Sequence, residues 1–393
     1  MPSYLALLSL IILHAVVDGF AMFVEPLWPT FSDELGLSRN DLLLVMTFAA
    51  LAPSFSQVGF GYLRDRFGTR FLLVMGPVLA ATALSLTGLA TSSLHLIGLL
   101  MLGGVAVGAF HPVAAVTAGE LIPERRTRCL SLFMFGGTCG LALGPVVSGH
   151  LVHWFHLPGL AWATVPGVLL AGGLGALAHR MSRERGHRQR QPASMEEVFD
   201  GRLGYTLLLL AVCSLRVVPS IGMSRALAFL MSEQRYSPDV IGNTIGVFLF
   251  SGGMGMLVTA SLLRHGWERA AMIICPLAGL PLLMLLAAPD LSFGWRRALL
   301  VPTGIILTGT TPAMVSYSQQ LLPRGAGLAS SITMGLSWGL AGILVAVLVT
   351  HVTPLATIAA FAPCVFLSAF GALYLPALAE QAEELPAAES QPA

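Results

Sequence analysis

Polar positions along this chain are confined to short breaks between long apolar runs. In the first part the runs extend from about Leu5 to Trp28, Leu42 to Phe60, Phe71 to Ala90, Leu94 to Gly119, Leu130 to Val152 and Gly159 to Ala178. After an Arg-rich break they resume over about Leu203 to Met231, Val240 to Leu263, Ala270 to Ala288, Ala298 to Gln320, Leu328 to Thr350 and Leu355 to Leu378. Runs of roughly 20 apolar residues suit helices that cross a hydrocarbon core about 30 Å thick. The pattern predicts an all-α membrane protein with twelve transmembrane helices.

The pattern also repeats. His111-Pro112, Leu121-Ile122-Pro123 and Ser131 are answered by Thr311-Pro312, Leu321-Leu322-Pro323 and Ser331. A repeat covering half the chain implies two pseudo-symmetric six-helix halves, as in transporters built from parallel repeats. The expected units are residues 1–180, a linker over 181–202, residues 203–378 and an acidic, disordered tail over 379–393. Gly136, Gly140 and Gly144 recur every fourth residue, as do Gly335 and Gly339. Small residues at that spacing line one helix face and let two backbones approach closely in a bilayer.

Composition narrows the function classes. Of 393 residues 55% are hydrophobic and 10% charged, against about 25% charged in ordinary soluble domains. Mean hydropathy is +0.79. A net charge of +1 gives no reason to expect a nucleic-acid partner. The five cysteines are scattered without a CxxC pair, so neither a disulfide framework nor a metal cluster is expected. His150, His153 and His156 stand three apart, drift around their helix and have no adjacent carboxylate in sequence, so no metal site is expected there either. No cofactor is implied. No nucleophile–base pair or nucleotide-binding loop points to an enzyme, and a membrane sensor would lack an extramembrane domain to signal through. The first run lacks a basic flank and contains Asp18, which reads as a retained first span.

Arginine placement gives an orientation. Arg64, Arg66 and Arg70, then Arg125, Arg126 and Arg128, then the linker, then Arg264 and Arg269, then Arg324 fall in alternate loops. Opposite loops hold only Arg39, Arg235, Arg296 and Arg297. The positive-inside rule puts the first set, and both termini, in the cytoplasm.

Between the second and third runs stands Gly61-x-Leu63-x-Asp65-Arg66-x-Gly68-x-Arg70, which resembles the signature loop of the major facilitator superfamily. Gly140-x-x-x-Gly144-Pro145-x-x-Ser148-Gly149 resembles part of the signature of drug/proton antiporters in that superfamily. His14-x-x-x-Asp18 with Pro26-Leu27-Trp28-Pro29, then Phe110-His111-Pro112 and Ser131-Leu132-Phe133, resemble the fosmidomycin-resistance-type subgroup. The resemblance implies the major facilitator fold in a bacterial inner membrane. It implies a monomer exporting a small anionic or amphipathic compound in exchange for protons, with uptake of a small organic anion as the rival. In the signature loop, Asp65 is expected to cap a second-half helix near Ala326 to Ala329, and Arg66 or Arg70 to meet Glu120.

Ionisable residues within the runs are the remaining candidates, because each costs about 2.5–3.5 kcal/mol at a helix centre on insertion scales. Asp18 and Arg216 fall near the middle of the first and seventh runs, Glu25 and Arg225 nearer one end of the same two. Asp18 and Arg216 are expected to pair when no substrate is bound, either as coupling groups or as a staple between halves. His111 reads equally as a structural donor or a substrate contact, and His14 lies one turn before Asp18.

Overall fold

The computed structural model describes residues 2–67, 69–122, 125–182, 195–263 and 266–378. It contains twelve helical segments long and apolar enough to cross a membrane: span 1 Ser3–Glu34, span 2 Arg39–Arg64, span 3 Leu72–Leu89, span 4 Ser93–Glu120, span 5 Arg128–Phe155 and span 6 Leu157–Met181. The second half supplies span 7 Leu203–Glu233, span 8 Pro238–Leu262, span 9 Glu268–Leu286, span 10 Phe293–Leu321, span 11 Gly327–His351 and span 12 Pro354–Ala372. Among the described residues, the expected linker contains the short helix Met195–Phe199. Residues 183–194 and 379–393 lie outside the described residues.

Local chemistry sets several helix ends. Before span 2, the Ser38 hydroxyl accepts from the Asp41 N–H at 3.2 Å while Asp41 Oδ2 accepts from the Ser38 N–H at 3.1 Å, a reciprocal cap. Three arginines cap carbonyls at the far ends of other spans: Arg202 donates to Leu321 O, Arg269 to Ala372 O, and buried Arg296 to Leu286, Ala288 and Leu291. A cation at the last carbonyls also meets the negative end of the helix dipole.

Two spans read as continuous from sequence are broken in the fold. Span 1 runs as α-helix to Ala21, resumes as a 3-10 turn over Glu25–Leu27 and continues over Trp28–Glu34. Span 10 stops at Gly309 and restarts at Thr311, ahead of Pro312, which has no N–H to carry the ladder across. Its counterpart, span 4, passes through Pro112 as one helix. Interrupted spans are tolerated where protein, not lipid, surrounds the freed backbone.

Each half has its own apolar core. One is built around Leu10, Phe31, Phe110 and Phe133, the other around Phe248, Tyr317, Val345 and Phe361. Glycines fix the helix contacts. A Cβ on Gly136, Gly140 or Gly144 would run into the carbonyls of Ile11, Ala15 and Gly19, so the every-fourth-residue face of span 5 lies against the span 1 backbone. Between halves, Gly242 of span 8 sits on Pro145 O, Gly149 of span 5 on Pro238, and Gly339 of span 11 on Ser54 of span 2.

Candidate functional site

Helical spacing brings His14 and Asp18 onto one face of span 1. His14 Nε2 lies 3.2 Å from Asp18 Oδ2. From span 4, His111 Nε2 meets the other carboxylate oxygen, Oδ1, at 3.0 Å. Both rings are anchored at their far nitrogen: His14 Nδ1 donates to Phe133 O at 2.7 Å and His111 Nδ1 to Val107 O at 2.9 Å. A carbonyl can only accept, so each Nδ1 carries hydrogen. The His14 ring stacks on Phe133 at 4.0 Å and meets His111 edge-on at 5.1 Å. Gly137 of span 5 closes the cluster, since a Cβ there would fall 2.6 Å from Asp18 Oδ2. Asp18 is 8% exposed and His14 2%.

Arg216 of span 7, 3% exposed, occupies the corresponding place in the second half. Its Nη2 donates to the Thr310 hydroxyl, at the break in span 10, and its Nε has no partner. No described carboxylate bridges it. The expected Asp18–Arg216 pair is therefore not formed in this structure. Each charge bonds instead within its own half, through the equivalent helix pair: span 1 to span 4, span 7 to span 10. Matching depth on symmetry-related helices does not bring two side chains together when each has a nearer partner.

A pair that does cross the halves is Glu25–Arg225. Arg225 Nε lies 3.2 Å from Oε2 and Nη2 3.1 Å from Oε1, a two-bond fork. The 3-10 turn after Ala21 places Glu25, and Trp28 lies under the guanidinium at 5.5 Å. Both charges are buried. Also across the halves, His153 of span 5 meets Asp239 of span 8 at 3.3 Å; the fold supplies the carboxylate that the local sequence lacks.

In the signature loop, Arg64 meets Glu120 at 3.2 Å. The side chains of Asp65 and Arg66, together with Gly68, lie outside the described residues, so the expected Asp65 cap does too. Arg70 is joined by His179, whose ring lies 3.3 Å from its carbonyl. A Cβ on Gly61 would lie 3.8 Å from Pro112 of span 4, an ordinary van der Waals contact. Thr310, Gly137, Phe133 and Trp28 were not among the sequence candidates. Trp28 and Phe133 stand in the motifs quoted from the sequence, and Thr310 stands beside the Thr311-Pro312 that answers His111-Pro112 in the repeat.

Twelve spanning helices in two halves, with charges buried between them, define a membrane transporter rather than an enzyme. Residues 10–346 match the Major Facilitator Superfamily, and the chain belongs to that family. It is 23% identical over 341 residues to the fosmidomycin resistance protein of Escherichia coli K12, covering 85% of this chain and 83% of that protein. It is 35% identical over 147 residues to the 4-hydroxybenzoate transporter PcaK of Pseudomonas putida, covering 37% of this chain and 31% of PcaK. In fold it resembles a bacterial homolog of the human lysosomal transporter Spinster, with a TM-score of 0.70, 15% identity and 95% of each chain covered.

Proposed function

We propose that this protein exports a small anionic or amphipathic compound from a bacterial cytoplasm by alternating access, in exchange for protons. The observation that carries the reading is Arg216, a membrane-buried cation with a hydroxyl partner and an unpartnered Nε. A charge in that setting is expensive. A carboxylate or other oxyanion, with acceptor oxygens matched to the guanidinium edge, relieves the deficit and is selected by it. Likeness to a resistance protein along most of the chain supports the outward direction.

The Arg-rich loops lie on the cytoplasmic side in this reading. The Glu25–Arg225 fork and the His153–Asp239 contact then close the outer end, and must open when the cavity turns outward. Export of an anion against its gradient needs a second flux, and we place the proton at Asp18 and its two imidazoles. Uptake of an aromatic acid is the second reading, favoured by the likeness to PcaK over a third of the chain.

The test is flux in proteoliposomes under an imposed pH gradient, with fosmidomycin and 4-hydroxybenzoate as probes and lumenal pH followed in parallel. Arg216→Ala should lower anion flux about 100-fold, the equivalent of about 2.7 kcal/mol, and Arg216→Lys should restore part of it. Parental flux in Arg216→Ala overturns the reading. Flux without lumenal pH change removes the proton and leaves the anion site.

A further inference from the structure

We infer that His14, Asp18 and His111 form a binding site for one divalent transition-metal ion, of the zinc or cobalt kind, held between spans 1 and 4. One ligand atom from each lies within 4.8 Å of the other two. Ligands about 2.0–2.2 Å from a tetrahedral ion stand roughly 3.3 Å from one another. The imidazole–carboxylate separations here are 3.2 and 3.0 Å. The two contacts run to different oxygens, Oδ2 for His14 and Oδ1 for His111, so Asp18 turns to present its oxygens to an ion shared with both rings.

The surroundings are those of a ligating site. Histidine ligands hold their tautomer by donating the second ring N–H to a carbonyl or carboxylate, which directs the other nitrogen's lone pair at the metal. Both rings do this, His14 to Phe133 O and His111 to Val107 O. Stacking on Phe133 fixes the plane of His14, and Gly137 leaves span 5 close enough to wall the cluster. Two imidazoles and one carboxylate favour zinc, cobalt, nickel or copper over magnesium or calcium, which prefer oxygen. The His111 side chain is 22% exposed, giving an ion a way in and leaving a fourth position for water or an anion. The site ties span 1 to span 4, so a bound ion braces the first half.

The experiment titrates untagged, purified protein with Co2+ in visible absorption. It uses a background of His150→Ala, His153→Ala and His156→Ala to remove the imidazoles at the far end of span 5. One equivalent should produce the ligand-field bands of a tetrahedral nitrogen–oxygen site, and Zn2+ should abolish them. Asp18→Asn and His111→Gln should each weaken Co2+ binding about 100-fold. No bands in the parent at millimolar Co2+, or unchanged affinity in both variants, overturns the site. If a variant does not fold, the parent still decides: Zn2+ should protect the part-exposed His111 from diethyl pyrocarbonate and leave exposed His95 reactive, and equal modification of His111 with and without Zn2+ overturns the proposal. Transport is not the readout, so a loss of proton coupling with intact Co2+ bands sinks only the coupling reading.

Discussion

In the first half a carboxylate on span 1 meets an imidazole on span 4; in the second a guanidinium on span 7 meets a hydroxyl on span 10. The helix pairs are equivalent, yet the two centres differ in how fully their charge is answered. Asp18 has a cationisable ring on each oxygen, anchored in turn by backbone carbonyls. Arg216 has a neutral hydroxyl and a nitrogen without partner. The first centre is a closed hydrogen-bonded cluster, and the second leaves a guanidinium nitrogen unanswered. The duplicated fold therefore provides one scaffold position used in two ways: a carboxylate met by a ring on each oxygen, and a guanidinium met by a single hydroxyl.

The comparison can be broken most severely at the buried carboxylate–guanidinium fork that crosses the halves. Glu25→Gln leaves Arg225 buried and should cost about 3–5 kcal/mol of stability, read as a lowered unfolding midpoint in detergent; Arg225→Met in addition should recover much of it. A midpoint unchanged by Glu25→Gln would mean that the fork does not hold the halves together.

A smaller loss is expected where span 5 supports the first centre. Gly140→Leu forces a side chain against the Ala15 carbonyl and should cost at least about 1–3 kcal/mol, while the same change at Gly173, which meets nothing within 4 Å, should be silent. Equal behaviour of the two variants would show that the glycine face does not carry span 1. At the second centre, Thr310→Val removes the hydroxyl partner of Arg216 and should cost about 1–2 kcal/mol. Added anion should then stabilise the variant more than the parent, since the guanidinium has lost its internal partner; equal stabilisation would place the anion elsewhere.

The finest measurement asks whether the centres are separate. In a double-mutant cycle, Asp18→Asn and Arg216→Gln should be additive within about 0.5 kcal/mol, because each residue bonds within its own half and shares no partner with the other. Glu25→Gln with Arg225→Met should show a coupling of about 0.5–3 kcal/mol. A coupling of that size between Asp18 and Arg216 would restore the cross-half pair expected from sequence and erase the contrast.

What the chain declares by itself is one-dimensional. Hydropathy is read residue by residue, so the existence and order of twelve spans, the halves and the glycine-lined face of span 5 were all legible before any coordinates. The depth of Asp18, Glu25, Arg216 and Arg225 along their spans was legible too, since depth is a count of residues at a fixed rise. Direction around the helix axis and the positions of neighbouring helices are not counts. They decided that Asp18 meets His111 instead of Arg216, that Glu25 meets Arg225, and that Asp239 comes beside His153. The breaks at Ala21 and Thr310 belong to the same class: Pro26 and Pro312 permit an interruption, but only packing decides whether the helix takes it, as unbroken span 4 shows at Pro112. Sequence fixes which polar groups enter the membrane, and the cost of leaving them unpaired there makes the tertiary structure choose their partners.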